Sequence, residues 1–132
     1  MFKKYDHVGM AVTDTEAMVA LLSKLFGFKI ADEHEEPAAG FKSTTISSAD
    51  VTLELIQPLG PQSMIQKFIE KRGGGLHNIS IQVDDLDAEM KRLKGLGVQF
   101  TSEEAAQMHD AKLIFIHPRS TNGLLIELKQ IK

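Results

Sequence analysis

The chain has 132 residues, 42% hydrophobic and 25% charged, with a formal net charge of −3 and no cysteine. That suits one domain, or two small closely packed halves, with enough apolar material for a core. It excludes disulfides and thiolate metal sites, and with no basic run longer than Lys71-Arg72 it argues against nucleic acid or a membrane surface as partner.

The first apolar run is cut by Thr13 and Asp14, too early for a signal-peptide core, and no later segment approaches a membrane span. The sequence therefore predicts a cytoplasmic protein. In chain order the elements repeat. Asp6 to Ile30 lies over Leu76 to Phe100 at an offset of 70, which sets His7 over His77, Asp14 over Asp84 and Gly27 over Gly97. Each copy reads as a strand headed by histidine, an acidic turn, an amphipathic helix and a glycine stop before a new strand. Met18, Leu21, Leu22 and Leu25 mark the buried face of the first helix, and Met90, Leu93 and Leu96 that of the second. Gly27 and Gly97 stand where a left-handed C-cap is wanted.

The cluster of Glu33, Glu35 and Glu36 around His34 reads as a solvated turn. Strands are expected within 41–48 and 50–58 in the first copy, and within 111–118 and 123–131 in the second. Between the copies, Pro61 suits the first turn of a short helix with Met64, Ile65, Phe68 and Ile69 on its apolar side. Gly73 to Gly75 follow as a flexible joint. The implied division is a module over 1–59, a connector helix over 60–74 and a module over 75–132.

Both copies end on an apolar strand interrupted by one glutamate, Glu54 in one and Glu127 in the other. Alternation sets Glu54 on a face with Thr52 and Ile56, opposite Leu53 and Leu55. Taken singly, each histidine reads first as a core or cap residue, and each glutamate equally as an edge residue facing water. The repeat favours another reading. His7, Glu54, His77 and Glu127 form two equivalent pairs, and a buried carboxylate is costly unless it is paired or binds a metal. Two imidazoles and two carboxylates suit a divalent transition ion, and cobalt, zinc, nickel and manganese all accept such donors.

The doubled layout with His7, Glu54, His77 and Glu127 resembles the vicinal oxygen chelate superfamily over nearly the whole chain. "DHVGMAVTD", "LELIQPLGPQSMIQKFIEKRGGGLHNISIQVDD" and "FIHPRSTNGLLIEL" most resemble its methylmalonyl-CoA epimerases. The resemblance implies an α+β fold in which two βαβββ modules form a cupped mixed sheet around a divalent metal held by His7, Glu54, His77 and Glu127. It implies an isomerase that epimerises methylmalonyl-CoA through a metal-stabilised enolate, an acyl-CoA substrate, and a homodimer. Glu127 resembles the ligand that also serves as one base. Ser43 stands near the place of a catalytic glutamate and is the candidate for the other face, and Asn78 stands where a second histidine is common. His109 is retained in "QMHD", and His117 is expected to orient a turn. The alternatives are a glyoxalase I-type isomerase, against which "HPRSTNG" replaces an Asp-Pro-Asp-Gly turn, and a non-catalytic metal- or small-ligand-binding protein of the same fold.

Overall fold

A computed structural model describes every residue, Met1–Lys132. The order of elements is β1 (Phe2–Ala11), α1 (Thr15–Phe26), β2 (Lys29–Glu36), β3 (Phe41–Ser48), β4 (Val51–Pro58), α2 (Met64–Arg72), β5 (Gly75–Val83), α3 (Leu86–Gly95), β6 (Ala106–Gln107), β7 (Ala111–Ile116) and β8 (Ile126–Ile131), with a short 3-10 turn at Pro118–Ser120. The chain forms two compact units, His7–His77 and Met1–Asp6 with Asn78–Lys132. No helix is long and apolar enough to cross a membrane.

In the His7–His77 unit the strands lie in the order β2-β3-β4-β1. The β2–β3 and β3–β4 pairs are antiparallel, and β1 runs parallel to β4 with Gly9 opposite Glu54. One face carries α1: Val12, Phe28, Ile46 and Leu55 are buried there against Met18, Val19 and Leu22. The other face carries α2, whose Ile65 packs with Ala11 and Ile56. Leu21 and Leu25, expected in the core, are exposed, as is Phe26. The apolar stripe of α1 is wider than the surface its sheet covers.

The solvated turn expected around His34 is instead strand β2. It pairs with β3 from Lys29 opposite Ser47 to Glu36 opposite Phe41. It is exposed along nearly its whole length. Charges on an outer strand are compatible with pairing and discourage further strand addition. His34 sits between carboxylates, with Nδ1 2.9 Å from Asp32 Oδ2 and Nε2 3.4 Å from Glu36 Oε1. The connector helix also begins later than Pro61. Ser63 is its N-cap and accepts a hydrogen bond from the Ile65 amide at 3.1 Å.

The expected flexible joint is a tight turn. Gly73, Gly74 and Gly75 have φ of 81°, 90° and 86°, and the Gly73 N–H closes α2 on the Ile69 carbonyl at 2.7 Å. A Cβ on Gly74 would lie 3.1 Å from the Ala11 carbonyl oxygen. Gly74→Ala is therefore expected to destabilise the fold by about 1–3 kcal/mol, from left-handed strain plus that contact. Chemical denaturation checks this, and an unchanged midpoint contradicts it.

In the second unit the order is β5-β8-β7-β6, with β5 parallel to β8 and β7 antiparallel to it. Val83, Leu86, Met90, Ile114, Ile116 and Leu128 form its core under α3. Leu96 is exposed, because α3 ends at Gly95. The strand expected after Gly97 shrinks to one bridge, Phe100 to Ile116, and the two residues of β6.

Glu89, in the first turn of α3, is hydrogen-bonded by the Arg92 guanidinium and by the N-terminal ammonium at 2.7 Å. These bonds outweigh burial and hold its carboxyl near a pKa of about 2, against 4.5 normally. The folded value lies below the unfolded one. The contribution is complete above the ordinary carboxylate range and is lost as pH falls through it towards 2. Glu89→Gln should flatten that acid limb; denaturation curves at neutral pH and at about pH 3 measure it. An identical acid limb in the variant would refute the assignment.

Candidate active site

Sequence alternation correctly separates the two faces of β4. Leu53 and Leu55 pack under α1, so Glu54 points to the other face with Ile56. There Glu54 Oε2 accepts a hydrogen bond from Ser43 Oγ at 3.0 Å, and Oε1 lies 3.7 Å from His7 Nε2. Ser43 is fully buried and His7 nearly so. Three of the expected residues, His7, Ser43 and Glu54, thus form one cluster inside the His7–His77 unit.

The second unit repeats the arrangement with different partners. Ile126 and Leu128 pack under α3, so Glu127 points away from it. Ser80 lies opposite Glu127 in the β5–β8 register and donates its hydroxyl to Glu127 Oε1 at 2.6 Å, with both residues buried. Two positions along β8, Lys129 Nζ lies 3.1 Å from Asp6 Oδ2, and the Gln82 amide donates to Asp6 Oδ1. Burial pulls the Lys129 ammonium down. The charge of Asp6 and its hydrogen bond, with Glu127 and Asp110, outweigh this and hold it above the usual lysine range. The equivalent floor in the other unit is apolar, made by Ala11 and Ile56 beneath Ile65.

His77 lies near the start of β5, against the connector helix. Its half-exposed ring meets Phe68 of α2 edge-on, with centroids 4.8 Å apart at 83°. No group of three or more His, Asp or Glu side chains is gathered tightly enough to hold an ion. His109 lies in the turn between β6 and β7. His117 caps the 3-10 turn, its Nδ1 accepting the Arg119 amide at 3.0 Å, as expected of a turn-orienting residue. Lys112 is ion-paired with Asp87 at 2.9 Å.

The offset of 70 needs correction at the front of the repeat. Asp14 caps α1 by accepting from the Ala17 amide at 3.0 Å, and Asp85 caps α3 by accepting from Ala88 at 3.0 Å. The first helical amides agree: Thr15 N–H bonds to Gln57 and Leu86 N–H to Gln130. Strands β1 and β5 and the helix caps are therefore related by 71 residues, and Asp85 rather than Asp84 is the counterpart of Asp14. Asp84 is exposed and pairs with Lys3. Helix α3 ends sooner than α1, which restores 70 at Gly27 and Gly97 and concealed the slip. Sequence reading missed Ser80 and the Asp6–Lys129–Gln82 cluster. The alternation Asn78, Ser80, Gln82 along β5 was the available signal.

Residues 6–115 match the family described as the Glyoxalase/Bleomycin resistance protein/Dioxygenase superfamily. An ethylmalonyl-CoA/methylmalonyl-CoA epimerase from Cereibacter sphaeroides is 34% identical over 134 residues, covering 99% of this chain and 100% of the relative. The methylmalonyl-CoA epimerase structure from Mycobacterium tuberculosis superposes with a TM-score of 0.92 at 30% identity, over 99% of this chain and 89% of that one. A variant of the Streptomyces coelicolor methylmalonyl-CoA epimerase, in complex with 2-nitronate-propionyl-CoA, gives 0.90 at 25% identity over 99% of both chains. The fold is thus the α+β glyoxalase-like fold of paired βαβββ modules. The chain belongs to the Glyoxalase/Bleomycin resistance protein/Dioxygenase superfamily and, within it, to the methylmalonyl-CoA epimerases, a family of isomerases.

Proposed function

We propose that this chain interconverts the two epimers of methylmalonyl-CoA, removing the proton alpha to the thioester and returning one to the opposite face. Likeness to epimerases of this class over almost the entire chain carries the reading. The paired serine–glutamate contacts supply chemistry that suits it. Two-sided proton transfer needs one acid–base group on each side of the carbon. Glu127 serves one side, oriented by the Ser80 hydroxyl on Oε1. Ser43 serves the other as a relay, because its hydroxyl is hydrogen-bonded to Glu54 Oε2. Glu127 starts ionised and takes up the proton on its side. On the opposite side the Ser43 hydroxyl gives its proton to the carbon and regains one from water, while Glu54 stays ionised and orients it; in the reverse direction the flow of protons reverses.

The donor chemistry fits a divalent ion: an imidazole and a carboxylate are already paired at His7 and Glu54, and Glu127 is a second buried carboxylate. His7, Glu54 and Glu127 are proposed to hold it, with a fourth donor from β5; cobalt, zinc, nickel and manganese are the candidates. When bound, the ion supplies positive charge where the enolate develops negative charge. A homodimer is proposed as the working form, supported by the exposed Leu21, Leu25 and Phe26 on α1. Sedimentation that finds only monomer contradicts it.

The test is incubation of metal-supplemented protein with methylmalonyl-CoA in deuterated water. Deuterium should enter the alpha carbon as the epimers interconvert. No epimerisation, alongside conversion of a hemithioacetal, would assign a glyoxalase I-type activity instead. Neither activity, with tight ligand binding, would assign a non-catalytic binding protein.

A further inference from the structure

The corrected register identifies which residue of β5 corresponds to His7. In the His7–His77 unit, His7 stands two residues before Gly9, and Gly9 lies opposite Glu54. In the second unit, Ser80 lies opposite Glu127, and the residue two before it is Asn78. The capping aspartates, Asp14 and Asp85, require the same shift of 71. Burial agrees: His7 and Asn78 are 6% and 4% exposed, whereas His77 is half-exposed. Alternation agrees as well. Ile81 and Val83 pack under α3, so His77 falls on their side of β5, and Asn78 falls on the side of Ser80, which bonds Glu127.

We propose that Asn78, not His77, is the β5 donor to the divalent ion, so that the donors are one imidazole, one amide oxygen and two carboxylates. This rests on the metal reading given above. His77 has a different task, packing against Phe68 beside the glycine turn. Replacing an imidazole by an amide oxygen moves the set towards oxygen-preferring ions. The preference for cobalt over manganese is then weaker than two imidazoles would provide.

Titration calorimetry of the metal-free chain with cobalt and with manganese tests this without reference to turnover. His77→Ala should bind both ions as the unmodified chain does. Asn78→Ala should weaken both by about tenfold or more, the scale seen when a metal site loses a supporting group. Asn78→His should tighten cobalt more than manganese. Because an imidazole at a buried position can disturb packing, the two alanine variants decide the matter, each checked for retained fold by circular dichroism. Loss of both ions by His77→Ala, with Asn78→Ala unaffected, would overturn the inference while leaving the metal reading intact. An unmodified chain that binds neither ion would overturn the metal reading and this inference with it.

Discussion

Glu127→Gln is expected to lower turnover by about a hundred- to ten-thousand-fold, the usual effect of removing one positioned acid–base group. The substitution is nearly isosteric. The glutamine carbonyl can still accept the Ser80 hydroxyl that now bonds Oε1 at 2.6 Å, so packing around β5 and β8 is preserved. What is lost is an oxygen able to take up a proton. The thermal unfolding midpoint should therefore move little while turnover collapses. Turnover within about tenfold of the unmodified chain would show that another group carries this proton. The ammonium of Lys129, fixed by Asp6, contributes positive charge near this carboxylate.

Ser43→Ala is expected to uncouple exchange from inversion. The variant loses the hydroxyl that donates to Glu54 and keeps Glu127 with its own serine. Epimerisation should slow by about a hundredfold or more. In deuterated water the epimer whose alpha proton faces Glu127 should still exchange that proton with retention, because one acid–base group suffices for removal and return on one side. Separation of the epimers followed by mass spectrometry measures both quantities. Epimerisation at an undiminished rate would remove Ser43 from the relay. The fold should survive, although the cavity left at a fully buried position and the lost hydroxyl partner of Glu54 are expected to cost stability.

Elements whose signal is local are legible in the amino-acid sequence. Alternation separated Glu54 from Leu53 and Leu55, and Glu127 from Ile126 and Leu128, because a strand sends successive side chains to opposite faces. The doubled order of strand, helix and strands followed from periodicity and from glycines that only left-handed turns require, as at Gly27. Recognition of the family motifs then supplied the reaction class that composition and spacing cannot carry.

Tertiary structure alone decided what depends on partners distant in sequence. Strand β2 is rich in charge, so its composition reads as a turn; pairing with β3 overrides that preference. Leu21 and Leu25 obey helical spacing, yet burial also needs a sheet wide enough to cover them. The register of β5 depends on which of two adjacent aspartates accepts the helix amide, and the hydrogen bonds from the Ala88 amide to Asp85 and from the Leu86 amide to Gln130 single out Asp85. A shift of one residue in a strand exchanges its two faces. That single step separates His77, against Phe68, from Asn78, on the side of Ser80 and Glu127.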